Sequence, residues 1–352
     1  MDKRGTFSQL DGLRAIAALS VFIHHIFQQQ FESGGDDFCS CILRHLGDWG
    51  VAVFFALSGF CIHWSRLKHA ERSGTFSRTD YFRRRFLRIY PAFALCIIVS
   101  LTLANVRPSA LISPATPIAV AAHLLALSNF FPAYRTAFNC VIWSVVLELH
   151  FYLLYGLFAP QFANIHAVRR SALFAVAVAA IAYFLSVTLL GPGDDRVTLQ
   201  HTAFSSFWTW CLGVLVAEQL HSKLHPRTFI NAPTTSWLIW CGTFAIGLLP
   251  ASISLQFQRF CLPLLIALGL YLVLSKPNAL LSSPPLRWIG KVSYSLYLFH
   301  PVAIWLFVGS ELPAWLNVAV TVVIGIAMAA VAYRLVELPF QAAKSNAQTT
   351  FA

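Results

Sequence analysis

Apolar windows long enough to cross a lipid bilayer recur along most of the chain. A spanning helix needs about 20 mostly apolar residues, because each residue rises ~1.5 Å and the hydrocarbon core is ~30 Å thick. The windows that approach this length are 10–30, 50–65, 90–105, 118–131, 142–160, 171–190, 203–220, 235–251, 257–275, 293–309 and 314–336. The pattern predicts an all-α polytopic membrane protein, with residues 1–340 as a single integral-membrane domain and residues 341–352 as a polar cytoplasmic tail.

Basic segments between the windows predict the side of the membrane that each loop faces. Eight of the 25 Lys and Arg residues fall between Arg66 and Arg88, and Arg169 and Arg170 mark a later basic segment. Such segments tend to stay in the cytoplasm. Three apolar windows lie between these two cytoplasmic segments, although the chain must cross an even number of times. One of the three is therefore not a complete crossing.

The incomplete crossing is expected where prolines interrupt the pattern. Pro108, Pro114 and Pro117 precede the short window 118–131. A re-entrant segment is tolerated at membrane depth where protein buries it or where it lines a cavity. We therefore predict about ten transmembrane helices plus one re-entrant or partial segment, with both termini in the cytoplasm.

Composition supports this class and excludes others. The chain is 57% hydrophobic and 11% charged, which leaves too little polar surface to cover a soluble globule of 352 residues. The net charge of +11 could suggest nucleic acid, but most basic residues border apolar windows. We expect the lipid bilayer as a partner and no nucleic acid.

Three of the eight cysteines map to the predicted non-cytoplasmic side, namely Cys39, Cys41 and Cys140. An oxidising compartment would permit one disulfide between the loops 31–49 and 132–141. The sequence leaves open whether it forms.

Arg14 and His25 lie eleven residues apart in the first apolar window. At ~100° per residue, eleven steps return a helix to within about 20° of its starting face, so the two side chains point the same way. The rise of roughly 16 Å would put Arg14 near the inner membrane boundary and His25 deep inside. Ionisable residues are costly in a membrane, so this pair is a candidate functional site.

A polar stripe follows Trp143. Read as a helix, this segment places Ser144, Glu148, Tyr152 and Tyr155 within about 40° of one line. Hydrogen bonds between helices would explain the Ser and Tyr residues, but an ionisable Glu favours a functional role. We predict a catalytic role for Glu148 and substrate contacts for Ser144 and Tyr152.

A second stripe consists of Ser293, Tyr297 and His300, spaced four and three residues apart. Pro301 cannot donate a hydrogen bond to the carbonyl of Tyr297, which opens the helical ladder beside His300. A kinked helix that packs its aromatic rings is the structural alternative. The three polar residues are candidate substrate contacts.

Arg85 and Arg88 lie three residues apart on one predicted helical face, just before the Pro91 that is expected to begin the next span. A basic run beside a membrane commonly sets topology or binds lipid headgroups. Together with Arg14, these guanidinium groups would also suit a polyphosphate through bidentate contacts.

Two other motifs lack a residue that their function would require. His221 and His225 have the spacing of a helical metal pair but lack a third ligand nearby in the sequence. Ser58 before Gly59 lacks the upstream glycine of a nucleophile elbow, and a small-residue packing contact explains it better. We predict no metal site.

Basic residues at the inner face and a buried His about 16 Å deeper describe a site that holds a phosphorylated carrier at one end and reacts at the other. Acyl-coenzyme A has this shape. Phosphorylated isoprenoid sugars would also fit the charge.

The stretch LDGLRAIAALSVFIHH resembles the opening signature of the acyltransferase 3 family, which are bacterial integral-membrane acyltransferases. Further stretches resemble family motifs in the expected order, and together they cover roughly residues 8–340: GVAVFFALSGF, RRRFLRIYP, WSVVLELHFYLLY and SYSLYLFHP.

The resemblance implies transfer of an acetyl or other short acyl group from cytoplasmic acetyl-CoA or another acyl-CoA to a saccharide hydroxyl at the bacterial inner membrane. Expected acceptors are lipopolysaccharide O-antigen, exopolysaccharide or a similar glycan or lipid-linked saccharide. Arg14 and His25 match the essential pair of the family, Arg85 and Arg88 its RxxR motif, and Glu148 its acidic residue after Trp-Ser. The second acidic residue common in relatives is absent here, because Leu149 and His150 follow Glu148. We expect no fused hydrolase-like domain.

His25 is predicted to be the general base that takes the proton of the acceptor hydroxyl. Glu148 would orient or charge-compensate its imidazole. A covalent acyl-His intermediate is the rival mechanism. The alternative functions are a transporter or flippase with an intramembrane Arg, His and Glu pathway, and acylation of a non-polysaccharide acceptor such as a macrolide.

Overall fold

The computed structural model describes residues 7–31, 38–73, 76–106, 116–190, 193–222, 232–245 and 251–341. Every regular element in these ranges is helical, as predicted. The α-helices are α1 Gln9–Phe31, α2 Phe38–Ser73, α3 Arg78–Val106, α4 Pro117–Leu124, α5 Ile142–Leu157, α6 Ile165–Thr188, α7 Asp194–Gln200, α8 Ala203–His221, α9 Ala232–Ala245, α10 Ala251–Ser275, α11 Pro284–Phe307 and α12 Ala314–Ala332.

Several of these helices are long and apolar enough to cross a membrane. Among the described residues the candidate spans are Gln9–Gln29, His45–Arg72, Arg78–Ala104, Ile165–Thr188 and Ala314–Gln341. The apolar helices Ile142–Leu157 and Arg259–Ser275 are shorter. The all-helical membrane class is therefore supported, whereas a count of about ten spans is not confirmed.

The chain divides into two compact units. Unit 1 comprises Met1–Phe76, Pro160–Val176 and Trp208–Ser293. Unit 2 comprises Ser77–Ala159, Ala177–Phe207 and Tyr294–Ala352. The single domain over residues 1–340 stays a prediction, and the tail after Gln341 lies outside the described residues.

The basic segment 66–89 differs from its prediction as a loop. Helix α2 continues through Ser73, and α3 begins at Arg78 and passes through Pro91 without ending. The expectation that Pro91 begins a new span was therefore wrong. A proline removes one helical hydrogen bond, but the long apolar helix on its C-terminal side continues across the interruption. Arg85 and Arg88 consequently share one helix with the apolar residues that follow.

Helix α4 has the length expected of a partial segment. Its eight residues rise about 12 Å, too little to cross a hydrocarbon core of ~30 Å. The hydroxyl of Thr116 caps its first turn by accepting from the backbone N–H of Ala119. Beyond α4 the chain turns through Ala126, with a φ of 57°, into a short 3-10 helix at Ser128–Phe130. Pro108 and Pro114 lie outside the described residues.

Small residues let α2 and α8 of unit 1 approach closely. A Cβ added at Gly59 would overlap the backbone of Trp210, and one added at Gly213 would overlap the backbone of Ala56. Such reciprocal glycine contacts are typical of helix pairs in membranes. They agree with the interpretation of Ser58-Gly59 as a packing contact.

The start of α1 and the start of α11 meet in the same way. Gly12 lies against the carbonyl of Leu281, and Gly290 lies against the carbonyl of Asp11, with no space for a Cβ at either glycine. This contact brings the first turns of α11 beside the end of α1 that carries Arg14.

Candidate active site

Arg14 lies on the first half of α1 in unit 1. One of its guanidinium nitrogens pairs with Asp11 at 3.2 Å, and the other donates to Sγ of Cys61 on α2 at 3.1 Å. The side chain is 28% exposed and borders a cavity. Arg14 is thus held by its neighbours yet remains accessible to a ligand.

His25 lies three turns further along α1 and is half-buried. Its Nδ1 is 2.9 Å from the carbonyl oxygen of Val21, one turn earlier. A carbonyl only accepts, so Nδ1 donates in this bond, and the neutral imidazole carries its lone pair on Nε2. This is the tautomer that a general base acting through Nε2 requires.

Contacts with α2 hold the side chain of His24, the residue before His25. Its Nδ1 donates to the carbonyl of Leu43 at 3.0 Å, and its ring occupies the space that a side chain at Gly47 would need. The rings of His24 and His25 meet edge to face at 4.9 Å. His24 therefore packs against both α2 and His25, the candidate base.

Arg85 of unit 2 lies among aromatic side chains. Its guanidinium carbon is 5.8 Å from the ring centre of Tyr81 and 5.7 Å from that of Tyr152. The hydroxyl of Tyr81 donates to the backbone carbonyl of Tyr152 at 3.1 Å, which ties α3 to α5. Cation–π contacts of this kind orient a guanidinium without neutralising its charge.

Arg88, one turn further on α3, is paired with a carboxylate that sequence reasoning missed. Its Nη1 lies 3.5 Å from Oε2 of Glu337, a fully buried side chain. Glu337 also accepts from the backbone N–H of Ser295 at 3.1 Å and from its hydroxyl at 2.5 Å. Arg88 itself is 32% exposed, so one side of its guanidinium is accessible.

The position of Glu337 depends on a local irregularity. Residues Tyr333–Glu337 form a π-helical turn directly after α12. π-helical turns are rare in proteins, and those that do occur often lie at functional sites. The available sequence signal was a lone acidic residue at the end of an apolar window, which is costly without a partner.

Helix α5 presents the predicted polar stripe. The hydroxyl of Tyr152 donates to Oε1 of Glu148, one turn earlier. The hydroxyl of Ser144 lies 2.6 Å from that of Tyr297 on α11. The structure therefore places all four polar side chains in unit 2, with Glu148 bonded to Tyr152 and Ser144 bonded to Tyr297.

His300 and Ser293 are buried on α11. Nδ1 of His300 is 3.2 Å from the carbonyl of Leu296, and its ring meets that of Tyr297 edge to face at 5.9 Å. α11 continues past Pro301 to Phe307. Burial of His300 favours packing within unit 2, and its predicted role as a substrate contact is untested.

Two further predictions concern metal ligands and a disulfide. No group of three metal-binding side chains occurs in the described part of the chain. His221 pairs with Glu71 at 2.8 Å, while His225 lies outside the described residues. Cys140 is a free thiol, and the side chains of Cys39 and Cys41 lie outside the described set.

Comparison with known families decides the broad assignment. A family described as an acyltransferase domain matches residues 7–337. This chain belongs to the acyltransferase 3 family. The match covers both units and every residue of the candidate site.

Curated relatives carry similar descriptions. O-acetyltransferase OatA of Staphylococcus aureus is 24% identical over 375 residues, which cover 94% of this chain and 57% of the relative. The putative peptidoglycan O-acetyltransferase YrhL of Bacillus subtilis is 26% identical over 362 residues, with 94% and 54% covered. Acyltransferase MdmB of Streptomyces mycarofaciens is 36% identical over 158 residues, with 42% and 38% covered.

The chain spans about half the length of the first two of these relatives. No solved structure gives a significant match.

Proposed function

We propose that the protein is an O-acyltransferase that moves an acetyl or other short acyl group from acyl-CoA to a hydroxyl of a saccharide. Membership of the acyltransferase 3 family supports the reaction class. The accessible imidazole of His25 carries the mechanism, because the side chain is only half-buried and the bond from Nδ1 to Val21 makes Nε2 the basic nitrogen.

In the proposed reaction, Nε2 of His25 takes the proton of the acceptor hydroxyl as the oxygen attacks the thioester carbonyl. The tetrahedral intermediate then collapses, the carbon–sulfur bond breaks, and the coenzyme leaves as a thiolate. The imidazolium returns its proton to that thiolate. The products are the acyl ester and free coenzyme A, and His25 is restored.

The three arginines predicted from the sequence are proposed as contacts for the donor phosphates. Arg14, Arg85 and Arg88 are each held by a neighbouring carboxylate or aromatic ring. Guanidinium groups suit phosphate because they donate paired hydrogen bonds and stay charged. We propose that Glu337 positions Arg88 for this contact.

A cell-surface glycan is the proposed acceptor class. Two relatives are described as O-acetyltransferases, and one of those descriptions names peptidoglycan. Lipopolysaccharide O-antigen and exopolysaccharide are further members of the same chemical class. The proposed location is the bacterial plasma membrane, with both termini cytoplasmic, which reporter fusions at each terminus would test.

The direct experiment is acyl transfer by the purified full chain. We expect labelled acetyl-CoA to yield an alkali-labile ester on a glycan acceptor, and His25→Gln to yield none. Hydrolysis of the donor without any ester on peptidoglycan fragments, O-antigen, exopolysaccharide or a macrolide would contradict the proposal. Vesicle uptake of substrate without ester formation would favour the transporter alternative instead.

The two candidate mechanisms differ when the acceptor is omitted. A general base leaves no label on the protein, whereas an acyl-His intermediate accumulates labelled acetyl on His25. Rapid acid quenching followed by peptide mass spectrometry separates the two results. Label on His25 would replace the general-base mechanism but retain the proposed activity.

A further inference from the structure

Unit 1 contains a cavity of about 330 Å³ beside the first turns of α1. Its lining includes Arg14 of α1, Trp64 and Phe60 of α2, Phe7 before α1, and Arg287 of α11. Small-molecule sites are commonly concave, mostly apolar and at least about 300 Å³ in volume. The cavity therefore has the size and character of a binding site.

Three aromatic rings form one part of the wall. Phe60 and Trp64 are stacked with ring centres 5.8 Å apart, and Phe7 meets them edge to face at 5.7 and 5.1 Å. Phe60 and Phe7 are 0% and 7% exposed and pack behind Trp64, the half-buried ring that presents its surface to the cavity. Flat aromatic surfaces of this kind bind nucleobases through stacking, whatever the base.

Two guanidinium groups lie on the same cavity. Arg14 is paired with Asp11, which also lines it, whereas Arg287 is exposed in the first turn of α11. Arg287 forms no ion pair or side-chain hydrogen bond with the described residues. An aromatic wall with an uncompensated guanidinium beside it matches a nucleotide, in which a flat base is joined to phosphates.

We infer that this cavity binds the adenine nucleotide end of the acyl-CoA donor, with the base against Trp64 and phosphate groups at Arg14 and Arg287. The inference rests on the proposed function, since it names where that donor binds in unit 1. It adds Trp64 and Arg287 as donor-binding residues that no motif indicated.

Binding of coenzyme A fragments to the purified full chain tests this inference. The probes for isothermal titration calorimetry are coenzyme A, adenosine 3′,5′-bisphosphate, pantetheine and pyrophosphate. We expect Trp64→Leu and Arg287→Gln each to weaken binding of coenzyme A and the bisphosphate by roughly tenfold, the factor that ~1.4 kcal/mol represents. Pantetheine, which lacks the nucleotide, should bind these variants as it binds the wild type.

Matched controls lie on the same helix as Arg287. Trp288→Leu and Lys291→Gln alter exposed side chains of α11 that do not line the cavity, so coenzyme A binding should be unchanged. Thermal unfolding of each variant checks folding. If Trp64→Leu is unstable, the exposed Arg287→Gln still decides the question.

Kinetics separate failure of the site from failure of the activity. We expect Arg287→Gln to raise the KM for acetyl-CoA but not that for S-acetylpantetheine, with kcat retained for both. Transfer from acetyl-CoA with an unchanged KM in both variants would overturn the inference and leave the proposed function intact. Absence of any transfer by the wild type, with nucleotide binding retained, would overturn the proposed function alone.

Equal competition by pyrophosphate and the bisphosphate, together with no effect of Trp64→Leu, would also overturn the inference, because it would reveal an anion site without base stacking.

Discussion

Arg14 of unit 1 and Arg88 of unit 2 both lie on apolar helices, but their carboxylate partners come from different distances along the chain. In unit 1, Arg14 pairs with Asp11 three residues earlier on the same helix and borders a cavity. In unit 2, Arg88 of α3 pairs with Glu337, which lies beyond α12 and also holds Ser295 of α11. The carboxylate pair of Arg14 lies within α1, whereas that of Arg88 connects α3 to the segment after α12.

The two units also differ in how far a candidate histidine is exposed. His25 of unit 1 and His300 of unit 2 each bond Nδ1 to the carbonyl one turn earlier. His25 is half-buried, while His300 has no exposed surface. The hydrogen bond within the helix therefore does not identify a base, but access to a reactant does.

The largest expected effect is at His25. His25→Ala should lower kcat for acyl transfer by about 10²–10⁴-fold, the usual contribution of a general base. The protein should still fold, because His25 is half-buried within a continuous helix and alanine has a high helix propensity. His166→Ala, at an exposed histidine of α6, is the control and should transfer normally. Similar losses in both variants would contradict a special role for His25.

Removal of the distant carboxylate should lower stability in addition to disturbing the proposed position of Arg88. Glu337→Ala leaves Arg88 and the Ser295 hydroxyl without this partner, and we expect unfolding to become about 2 kcal/mol easier. This is less than for a fully buried pair, because Arg88 is 32% exposed. Thermal unfolding in detergent measures the change. The local pair offers the contrast, since Asp11→Asn at a partly exposed carboxylate should shift the Tm much less.

Arg85 should affect donor binding more than stability. Arg85→Gln is expected to raise the KM for acyl-CoA about tenfold, equivalent to ~1.4 kcal/mol, with kcat largely retained. Arg83→Gln removes an exposed guanidinium two residues earlier on α3 and serves as the control. A normal donor KM in Arg85→Gln would remove this residue from the proposed donor site.

The smallest expected effect is at the hydroxyl pair of unit 2. Ser144→Ala or Tyr297→Phe should each cost about 1 kcal/mol of stability, because each change removes the hydrogen bond between the two hydroxyls. The double variant should cost less than the sum, since both changes remove the same bond. Additive losses in thermal unfolding would indicate that the two hydroxyls act separately.

Periodicity was sufficient where the candidate residues lie on one helix. The apolar window 10–30 and the eleven-residue spacing of Arg14 and His25 correspond to α1, and the stripe of Ser144, Glu148 and Tyr152 corresponds to α5. Side chains on one helix keep a fixed angular relation, so sequence spacing alone places them on a face.

Local patterns failed where neighbouring elements decided the outcome. Pro91 was expected to begin a span, yet α3 passes through it. Glu337 attracted no prediction, although it is the partner of Arg88. A proline is compatible with the start or the interior of a helix, and a carboxylate is compatible with several partners. The helices that pack around each residue determine which arrangement forms.

The amino-acid sequence by itself determined the helical membrane class and the family. It also determined which polar residues lie on one face of α1 and which lie on one face of α5, because hydropathy and the helical repeat act over neighbouring residues. Only the tertiary structure decided that Arg88 meets Glu337, that Arg287 joins Arg14 on one cavity, and that His25 rather than His300 is accessible. These outcomes depend on which distant helices pack together and on the close approach that Gly12 and Gly290 permit, and no local spacing encodes that choice.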